Sequence, residues 1–458
     1  MNFVHMPYQP GETIAAIATP PGEGGVAIIR ISGREAVSVA DKIFSGSIAS
    51  YKTHTVHFGK VHTLAGEHVD DALVLVMLGK RSYTGEDTVE IHCHGGSVIT
   101  RKVLECALSA GARPARAGEF TFKAFINGKI DLAQAEAVQE LISAKNEIAC
   151  KTATDQLQGA LTQKINSFQK ELTEIAAILE AWVDFPEEGL AFATLDEICG
   201  MLDKVTRQVE ELSNTFYEGK IVATGVDMCL VGCPNVGKSS LMNALLEKER
   251  AIVTHIAGTT RDLVEDHLHL GGLHFRLIDT AGIREGKEIV EIEGIKRSMA
   301  AMKTADLILL VLDASGGLRE EDKKLLAMAR PEKTIAVWNK IDLPHDEIPF
   351  LGLPHVVHIC AKEGRGLLEL KKAIEKVVWS NGAPDKNEIV ITKLRHKEAL
   401  ATAALSARRV IAGLQEGVSP EFVTIDMRDS LTHLGNVIGQ NISEEILSAI
   451  FSKFCIGK

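Results

Sequence analysis

The stretch that decides the fold is Asp227–Leu245, "DMCLVGCPNVGKSSLMNAL". An apolar run passes into Gly232-Cys-Pro-Asn-Val-Gly237-Lys238-Ser239 and then into a helical pattern. This is GxxxxGK[ST] in a strand, loop and helix setting, the phosphate loop of a P-loop nucleotide-binding domain. Its glycines let backbone N–H groups wrap phosphates, and the helix N-terminus favours the negative charge. Lys238 is expected on the β- and γ-phosphates and Ser239 on Mg²⁺.

Downstream the matching parts come in order. "IAGTTRD" puts Thr259 and Thr260 in a loop able to close over Mg²⁺. "LHFRLIDTAG" ends a strand at Asp279, placed to reach Mg²⁺ through water, with the Gly282 N–H free for the γ-phosphate. "TIAVWNKID" ends a strand with Asn339, Lys340 and Asp342. A carboxylate at Asp342 accepts from guanine N1–H and N2–H₂, donors that adenine lacks. Sites built on such hydrogen bonds reject the wrong analogue by about 10⁴-fold, so GTP is expected. The set resembles the translation-factor-like branch of P-loop GTPases. One departure is Cys360-Ala361-Lys362, where many of those relatives read Ser-Ala-Lys, so a hydroxyl is expected to be lost.

The place of the water-orienting glutamine of Ras-like enzymes is Ile283. From the residues alone, Glu291 is either a water-positioning carboxylate or a solvated loop residue beside Glu285, Glu288 and Glu293. Asn235 is either a monovalent-cation ligand or a turn former after Pro234.

Around this domain the character changes. The chain has 458 residues, room for roughly two to four domains. Residues 1–126 read as mixed α/β: "VAIIRISG", "THTVHFGKVHT", "DALVLVML" and "DTVEIHCHGG" as strands, "SVITRKVLECALSAGA" as a helix ending near Gly111. In 127–219, Leu157, Leu161, Ile165, Phe168, Leu172, Ile175, Leu179 and Trp182 form one helical stripe that Pro186 ends. Leu195, Ile198, Leu202, Val205, Val209, Leu212 and Phe216 form a second, and the two are expected to pair antiparallel. Strands and helices alternate over 220–382. After the linker-like "NGAPDKNE", 383–458 returns to helix. The fold class expected is thus α/β plus all-α: an N-terminal α/β domain, and a helical domain in two parts with the GTPase domain inserted.

A net charge of −11 excludes binding nucleic acid by bulk charge, though not through a local groove. Lys393, Arg395, Lys397, Arg408 and Arg409 are candidates for such a groove. Eight scattered cysteines without a CxxC pair fit reduced thiols. The start has no signal-peptide pattern and no apolar run is long enough to span a membrane, so a cytoplasmic location is expected.

The chain resembles the MnmE (TrmE) family of tRNA-modification GTPases over nearly its whole length. The resemblance rests on "ATPPGEGGVAIIRISG", "YTGEDTVEIHCHGG", "RPARAGEFTFKAFINGKIDLAQAEAV", "LQGALTQKI", "DFPEE", "GCPNVGKSSLMNAL", "AIVTHIAGTTRD", "DTAGIRE" and the final "FCIGK". It implies a homodimer built through N-terminal domains similar to tetrahydrofolate-binding enzymes. It also implies an FAD-dependent partner, MnmG (GidA), in a heterotetramer or larger complex. The implied work is an aminomethyl or carboxymethylaminomethyl group placed at C5 of the wobble uridine of certain tRNAs. The one-carbon unit would come from 5,10-methylenetetrahydrofolate, with 5-formyltetrahydrofolate as an analogue, and GTP hydrolysis would depend on K⁺.

Position by position, the resemblance puts Asn235, Thr254, Ile256 and Thr259 on K⁺, Ser239 and Thr260 on Mg²⁺, and Glu291 on the catalytic water. The implied GTP contacts are Asn235, Val236, Gly237, Lys238, Ser239 and Ser240, then Thr254, His255, Ile256, Ala257, Gly258, Thr259 and Thr260. They continue with Asp279, Thr280, Ala281 and Gly282, and with Asn339, Lys340, Asp342, Cys360, Ala361 and Lys362. For folate it implies Arg30, Glu90, Lys129 and Lys458; Cys455 matches a position that assists the chemistry or holds the tail. His92 and His94 fall on one strand face, and two histidines without further ligands make a weak metal site. Structural or folate-proximal roles are expected for both. The alternative function is a GTP-switched RNA-binding or ribosome-assembly factor, which accounts for the GTPase domain alone.

Overall fold

The structure is a computed structural model and describes residues 11–184, 194–247, 267–270, 272–278, 299–379 and 388–458. Thr254 to Thr260, Asp279 to Gly282 and Glu291, like Pro186 and most of the linker-like stretch, lie outside the described residues.

The N-terminal unit is a six-stranded sheet, ordered β3-β4-β5-β2-β1-β6. Its strands are β1 (Ile14–Ile17), β2 (Gly24–Ser32), β3 (Thr55–His62), β4 (His68–Met77), β5 (Thr88–Gly95) and β6 (Arg113–Pro114). Helices α1 (Ala36–Asp41) and α2 (Ser97–Ser109) cover one face, burying Val39, Ala40, Val103 and Ala107 against Ile29, Ile31, Val74 and Ile91. The alternation of β-strand side chains sends the intervening residues to the opposite face. There Val56, Phe58 and Leu73 remain exposed, at 57%, 73% and 43%. β1 and β6 are short and were not legible as strands; each is completed by its neighbour in the sheet.

After α3 (Glu119–Ile126), Asp131 caps α4 (Leu132–Ser143) in a reciprocal capping box with Gln134. Next come α5 (Glu147–Leu157), α6 (Ala160–Asp184), α7 (Leu195–Asn214) and α8 (Phe216–Thr224). The long apolar stripe is therefore not one helix from Leu157. Gly159, at φ +91°, breaks the chain between α5 and α6. From Leu161 to Leu179 the stripe is fully buried, as is that of α7 from Ile198 to Val209.

A second sheet, β12-β11-β10-β7-β9-β8, is parallel except for its last pair. It comprises β7 (Val226–Val231), β8 (His267–Leu270), β9 (Leu273–Ile278), β10 (Leu307–Asp313), β11 (Thr334–Asn339) and β12 (Val356–His358). With it go α9 (Lys238–Glu247), α10 (Glu320–Met328) and α11 (Leu367–Val378). The near-continuous burial of β7, β10 and β11 is what a parallel sheet covered on both faces requires.

The chain then returns as α12 (Leu394–Gln415), α13 (Pro420–Ile438) and α14 (Glu444–Phe451), the last capped by Ser443. The main partner of α7 is α12, and that of α6 is α13. The two stripes thus face a hairpin supplied after the insertion more than they face each other.

The two halves are joined by buried charge. Glu136 on α4 takes His396 Nε2 at 2.8 Å and Arg395 Nη2 at 2.7 Å. Arg395 also donates to the carbonyls of Asn436 and Val437 at the end of α13. Burial alone pushes the Glu136 carboxyl up; the His396 and Arg395 charges outweigh it and hold the carboxyl at about 2. One turn on, Glu140 pairs with Lys393 at 2.9 Å.

Glu136→Ala leaves the Arg395 guanidinium and the buried His396 ring without their carboxylate and is expected to cost about 3–5 kcal/mol in urea unfolding at neutral pH. A depressed carboxylate stabilises above its unfolded value of 4.5 and loses that contribution as pH falls toward about 2. The stability gap between wild type and Glu136→Gln is therefore expected to be full at pH 7 and to shrink below pH 4.5. A gap independent of pH would contradict the assignment.

Candidate functional site

Two sites emerge, one on each sheet. At the C-terminal edge of the second sheet, the loop from Gly232 to Gly237 leaves β7 and enters α9. Gly232 has φ +150° and a Cβ there would lie 2.2 Å from the Val311 carbonyl. Gly237 has φ +98° and a Cβ would lie 2.2 Å from Asn339 Nδ2. Side chains are thus excluded on both counts, space and backbone conformation. Asn235 is left-handed at φ +65°, within the range Asn tolerates, and exposed. Lys238 Nζ donates to the carbonyls of Gly232 and Cys233 at 2.6 and 2.8 Å. Burial pushes its ammonium down, against the pull of Cys233 and Asp322. A desolvated cation at the start of a helix, beside a loop that only glycine fits at Gly232 and Gly237, suits a polyphosphate, so the residues present fit the nucleotide. Ser239 and Ser240 open α9 in the same cradle.

Asn339 ties three loops together. Its Nδ2 donates to the Val236 carbonyl at 2.9 Å, and its Oδ1 accepts from the Ala361 N–H at 3.0 Å. Lys340 bonds the buried Asp313 at 2.6 Å. Burial pushes the Asp313 carboxyl up, but Lys340 and Ser315 bring it below its usual value. Asp342 is exposed, with the Cys360 thiol within 4.8 Å, and the pull of that thiol holds its carboxyl below the usual range. Burial and Asp342 in turn push the thiol up. Where a hydroxyl was expected to be lost, position 360 thus carries a thiol within reach of Asp342. Lys362 is exposed beside it.

Two supports had no sequence motif to reveal them. Asp313 ends β10 as Asn339 ends β11, a parallel visible only once the strands are paired. The buried Cys233 thiol donates to the buried Asp322 on α10 at 3.0 Å, and that carboxylate also accepts the Arg319 N–H. Burial and this carboxylate push the thiol up to about 12, so it is an inert donor anchoring the phosphate loop.

The other site lies on the N-terminal sheet. Arg30 on β2 and Glu90 on β5 are register partners, and Arg30 Nε meets Glu90 Oε1 at 2.7 Å. The Phe120 and Tyr83 rings flank the guanidinium, at 5.5 and 6.0 Å. The tail reaches this spot from the helical unit. Phe451 and Phe454 are buried against Phe122, Phe125 and Leu132. The Gly118 N–H then binds the Cys455 carbonyl, Arg30 Nη1 binds the Gly457 carbonyl, and the Phe120 N–H binds the Lys458 carbonyl. Burial pushes the Lys458 ammonium down, and Arg30 adds to this; Glu90 and Cys455 oppose it. The thiol-bearing Cys455 is exposed. Arg30, Glu90 and Lys458 are thus brought together. Lys129 is exposed and spends its Nζ on the Lys80 carbonyl at 2.7 Å.

The candidate groove cations are engaged within the chain. Lys393 pairs with Glu140, Arg395 with Glu136, Arg408 with Asp203 and Glu210, and Arg409 lies 3.8 Å from Asp426. Lys397 sits over the Phe216 ring. A cavity of about 380 Å³ beside α5 and residues 388–390 touches neither site.

A family model described as the MnmE helical domain matches residues 132–455, and one described as the TrmE N-terminus of a GTP-binding protein matches residues 13–129. A protein of Protochlamydia amoebophila named tRNA modification GTPase MnmE is 65% identical over 458 residues, covering 100% of both chains. The chain belongs to the MnmE (TrmE) family of tRNA modification GTPases. Other MnmE proteins agree: that of Geobacter sulfurreducens is 42% identical, covering 98% of this chain and 99% of its own. That of Chlamydia trachomatis is 44% identical with the same coverage. Among solved structures, Aquifex aeolicus Era bound to GDP·AlF4⁻ is 29% identical over 40% of this chain and 66% of its own, with a TM-score of 0.26. The MnmE assignment rests on the full-length relatives.

Cys360→Ser keeps a donor on Asp342 and is expected to leave GDP affinity within about twofold. Cys360→Val removes that donor and is expected to weaken GDP about tenfold. Titration with a fluorescent GDP distinguishes them; equal affinities would show that Asp342 needs no such support.

Proposed function

We propose that this chain is the GTP-hydrolysing subunit of a complex that modifies C5 of the wobble uridine, position 34, of certain tRNAs. The group added is aminomethyl or carboxymethylaminomethyl, with 5,10-methylenetetrahydrofolate as one-carbon donor. The observation that carries this reading is the tail. A GTP switch has no need of a helical unit whose last residues return to a distant sheet and set Lys458 beside Arg30 and Glu90. An Arg–Glu–Lys cluster offers a carboxylate for the amidine-like edge of a pterin and cations for its anionic tail. When bound, the folate supplies the one-carbon unit. Glu90 would orient the ring, and Arg30 and Lys458 would bind the anionic or carbonyl groups. Lys129 would contribute a further exposed cation, and Cys455 presents an exposed thiol at the tail.

In the GTPase unit, Lys238 would hold the β- and γ-phosphates, Ser239 and Thr260 Mg²⁺, and Asn235, Thr254, Ile256 and Thr259 a K⁺ ion. Glu291 would position the attacking water, the role that Ile283 cannot fill. Charge on the transferring phosphoryl group would then be neutralised by K⁺ where other GTPases use an arginine. The exposed Val56, Phe58 and Leu73 on the N-terminal sheet favour a homodimer through this sheet, since exposed apolar patches mark interaction surfaces. An FAD-dependent MnmG partner and tRNA would complete the complex. No helix among the described residues is long and apolar enough to cross a membrane, and we place the work in the cytoplasm.

Mass spectrometry of tRNA nucleosides from cells lacking this chain is expected to show unmodified wobble uridines in the affected tRNAs. Unchanged nucleosides would overturn the reading in favour of an RNA-binding assembly factor. GTP hydrolysis by the purified chain is expected to be at least tenfold faster in K⁺ than in Na⁺, and to be largely lost in Glu291→Ala with GTP still bound. Equal rates in the two salts would remove the cation from the mechanism.

A further inference from the structure

Along β5, Val89, Ile91 and Cys93 point into the core, and Glu90, His92 and His94 alternate with them. His92 is register partner to Leu73 on one side and Ile28 on the other, in the row next to Leu75, Glu90 and Arg30. Its Nε2 lies 3.5 Å from Glu90 Oε2, within ion-pair range. Yet that nitrogen is buried and makes no hydrogen bond, although the ring as a whole is 28% exposed. Glu90 Oε1 is already taken by Arg30. The pair left over is a carboxylate oxygen and an imidazole nitrogen side by side. A buried polar nitrogen whose neighbouring carboxylate, at 3.5 Å, makes no hydrogen bond to it is under-satisfied, which is unusual in a folded protein and leaves room for a better partner. The neighbouring carboxylate repels a lone pair, so the tautomer with hydrogen on Nε2 is the favoured one. A ligand that satisfies both atoms must present a donor to Glu90 and, next to it, an acceptor to His92.

We infer that His92 is a ligand-contacting, specificity-determining residue of the Arg30–Glu90–Lys458 site, reading the acceptor adjacent to the donors that Glu90 holds. The inference rests on the folate reading above and sharpens it. A 2-amino-4-oxopyrimidine edge offers N–H donors to Glu90 and its 4-oxo group to His92. A 4-amino ring puts a donor against a donor, and the site rejects it. Sites whose buried polar groups are left unpaired discriminate in this way.

The test is calorimetric titration of the full-length chain with 5-formyltetrahydrofolate and with its 4-amino counterpart, in wild type, His92→Ala, His92→Gln and Glu90→Gln. Wild type is expected to favour the 4-oxo ligand about tenfold or more. His92→Ala is expected to weaken the 4-oxo ligand about tenfold and to erase the preference; His92→Gln, which keeps a donor, restores part of both. Imidazole ¹⁵N spectra are expected to show His92 Nε2 shifting on addition of ligand, and melting curves confirm that each variant is folded. If wild type binds and Glu90→Gln does not, while His92→Ala matches wild type for both ligands, the inference falls and the folate reading stands. If wild type binds neither ligand, the folate reading falls and this inference with it.

Discussion

A chain that leaves its helical unit at Thr224 and returns beyond residue 388 must recognise its own other half, and Glu136 is where it does so. Removing a carboxylate from water costs several kcal/mol, about as much again for each cation brought to it, and only close geometry offsets this. Glu136 has that geometry: Arg395 and His396 from the returning segment both contact it, and it is 5% exposed. A mispaired return would leave the buried Glu136 carboxylate without its guanidinium and the buried His396 ring without its acceptor. Such an error is far more costly than a shifted apolar contact, so the cluster specifies register more than it adds stability. Arg395 extends the constraint to a third helix by occupying carbonyls at the end of α13, which a helix terminus leaves unpaired.

The remainder of the chain, out to the tail, depends on this anchor. Once α13 is placed, Gly439 turns at φ +93° against Leu132 and Phe125, where a Cβ would lie 2.7 Å from the Leu132 side chain. α14 then sets Phe451 and Phe454 among the aromatic residues of α3. Each buried phenylalanine contributes about 1.5–3 kcal/mol, enough to fix a short helix that could not hold itself. The final residues are held by backbone. Carbonyls of Cys455, Gly457 and Lys458 are all bonded, and a Cβ on Gly457, at φ +94°, would lie 2.3 Å from the Ile17 carbonyl. Because the main chain carries the attachment, the side chains of Cys455 and Ile456 are free to stay exposed.

Local patterns in the sequence made the phosphate loop, the Asn339–Asp342 strand end and both helical stripes legible, because each is a spacing within a few residues. A stripe states which face is buried but not by what, so the pairing of α7 with α12 and of α6 with α13 was not legible. Gly159 inside an apolar repeat gave a weak signal that only its left-handed backbone made decisive. The intrachain partners of the basic run from Lys393 to Arg409 were not legible for the same reason. Its partners Glu140, Glu136, Asp203 and Glu210 lie some two hundred residues away, and spacing along one helix does not record them. Cys360 read as a loss because side-chain identity alone does not say that a thiol sits within reach of Asp342.

Arg30 joins these threads. One guanidinium serves Glu90 through Nε and the tail through Nη1. A ligand that draws on the Glu90 charge therefore changes what is left to orient Arg30, and with it the hold on Gly457. Coupling free energy is reciprocal, so a group competing for the Glu90 carboxylate and a shift of the tail would each change the other by the same factor. The tail is the end of α14, α14 is placed by α13, and α13 ends on Arg395. The helical unit that carries the GTPase insertion is thus in contact, through packed helices and two arginines, with the carboxylate on the other sheet. Contact of this kind transmits only to the extent that some element along it has two arrangements, and the backbone-held tail, with the Cys455 and Ile456 side chains exposed, has little side-chain burial to overcome there.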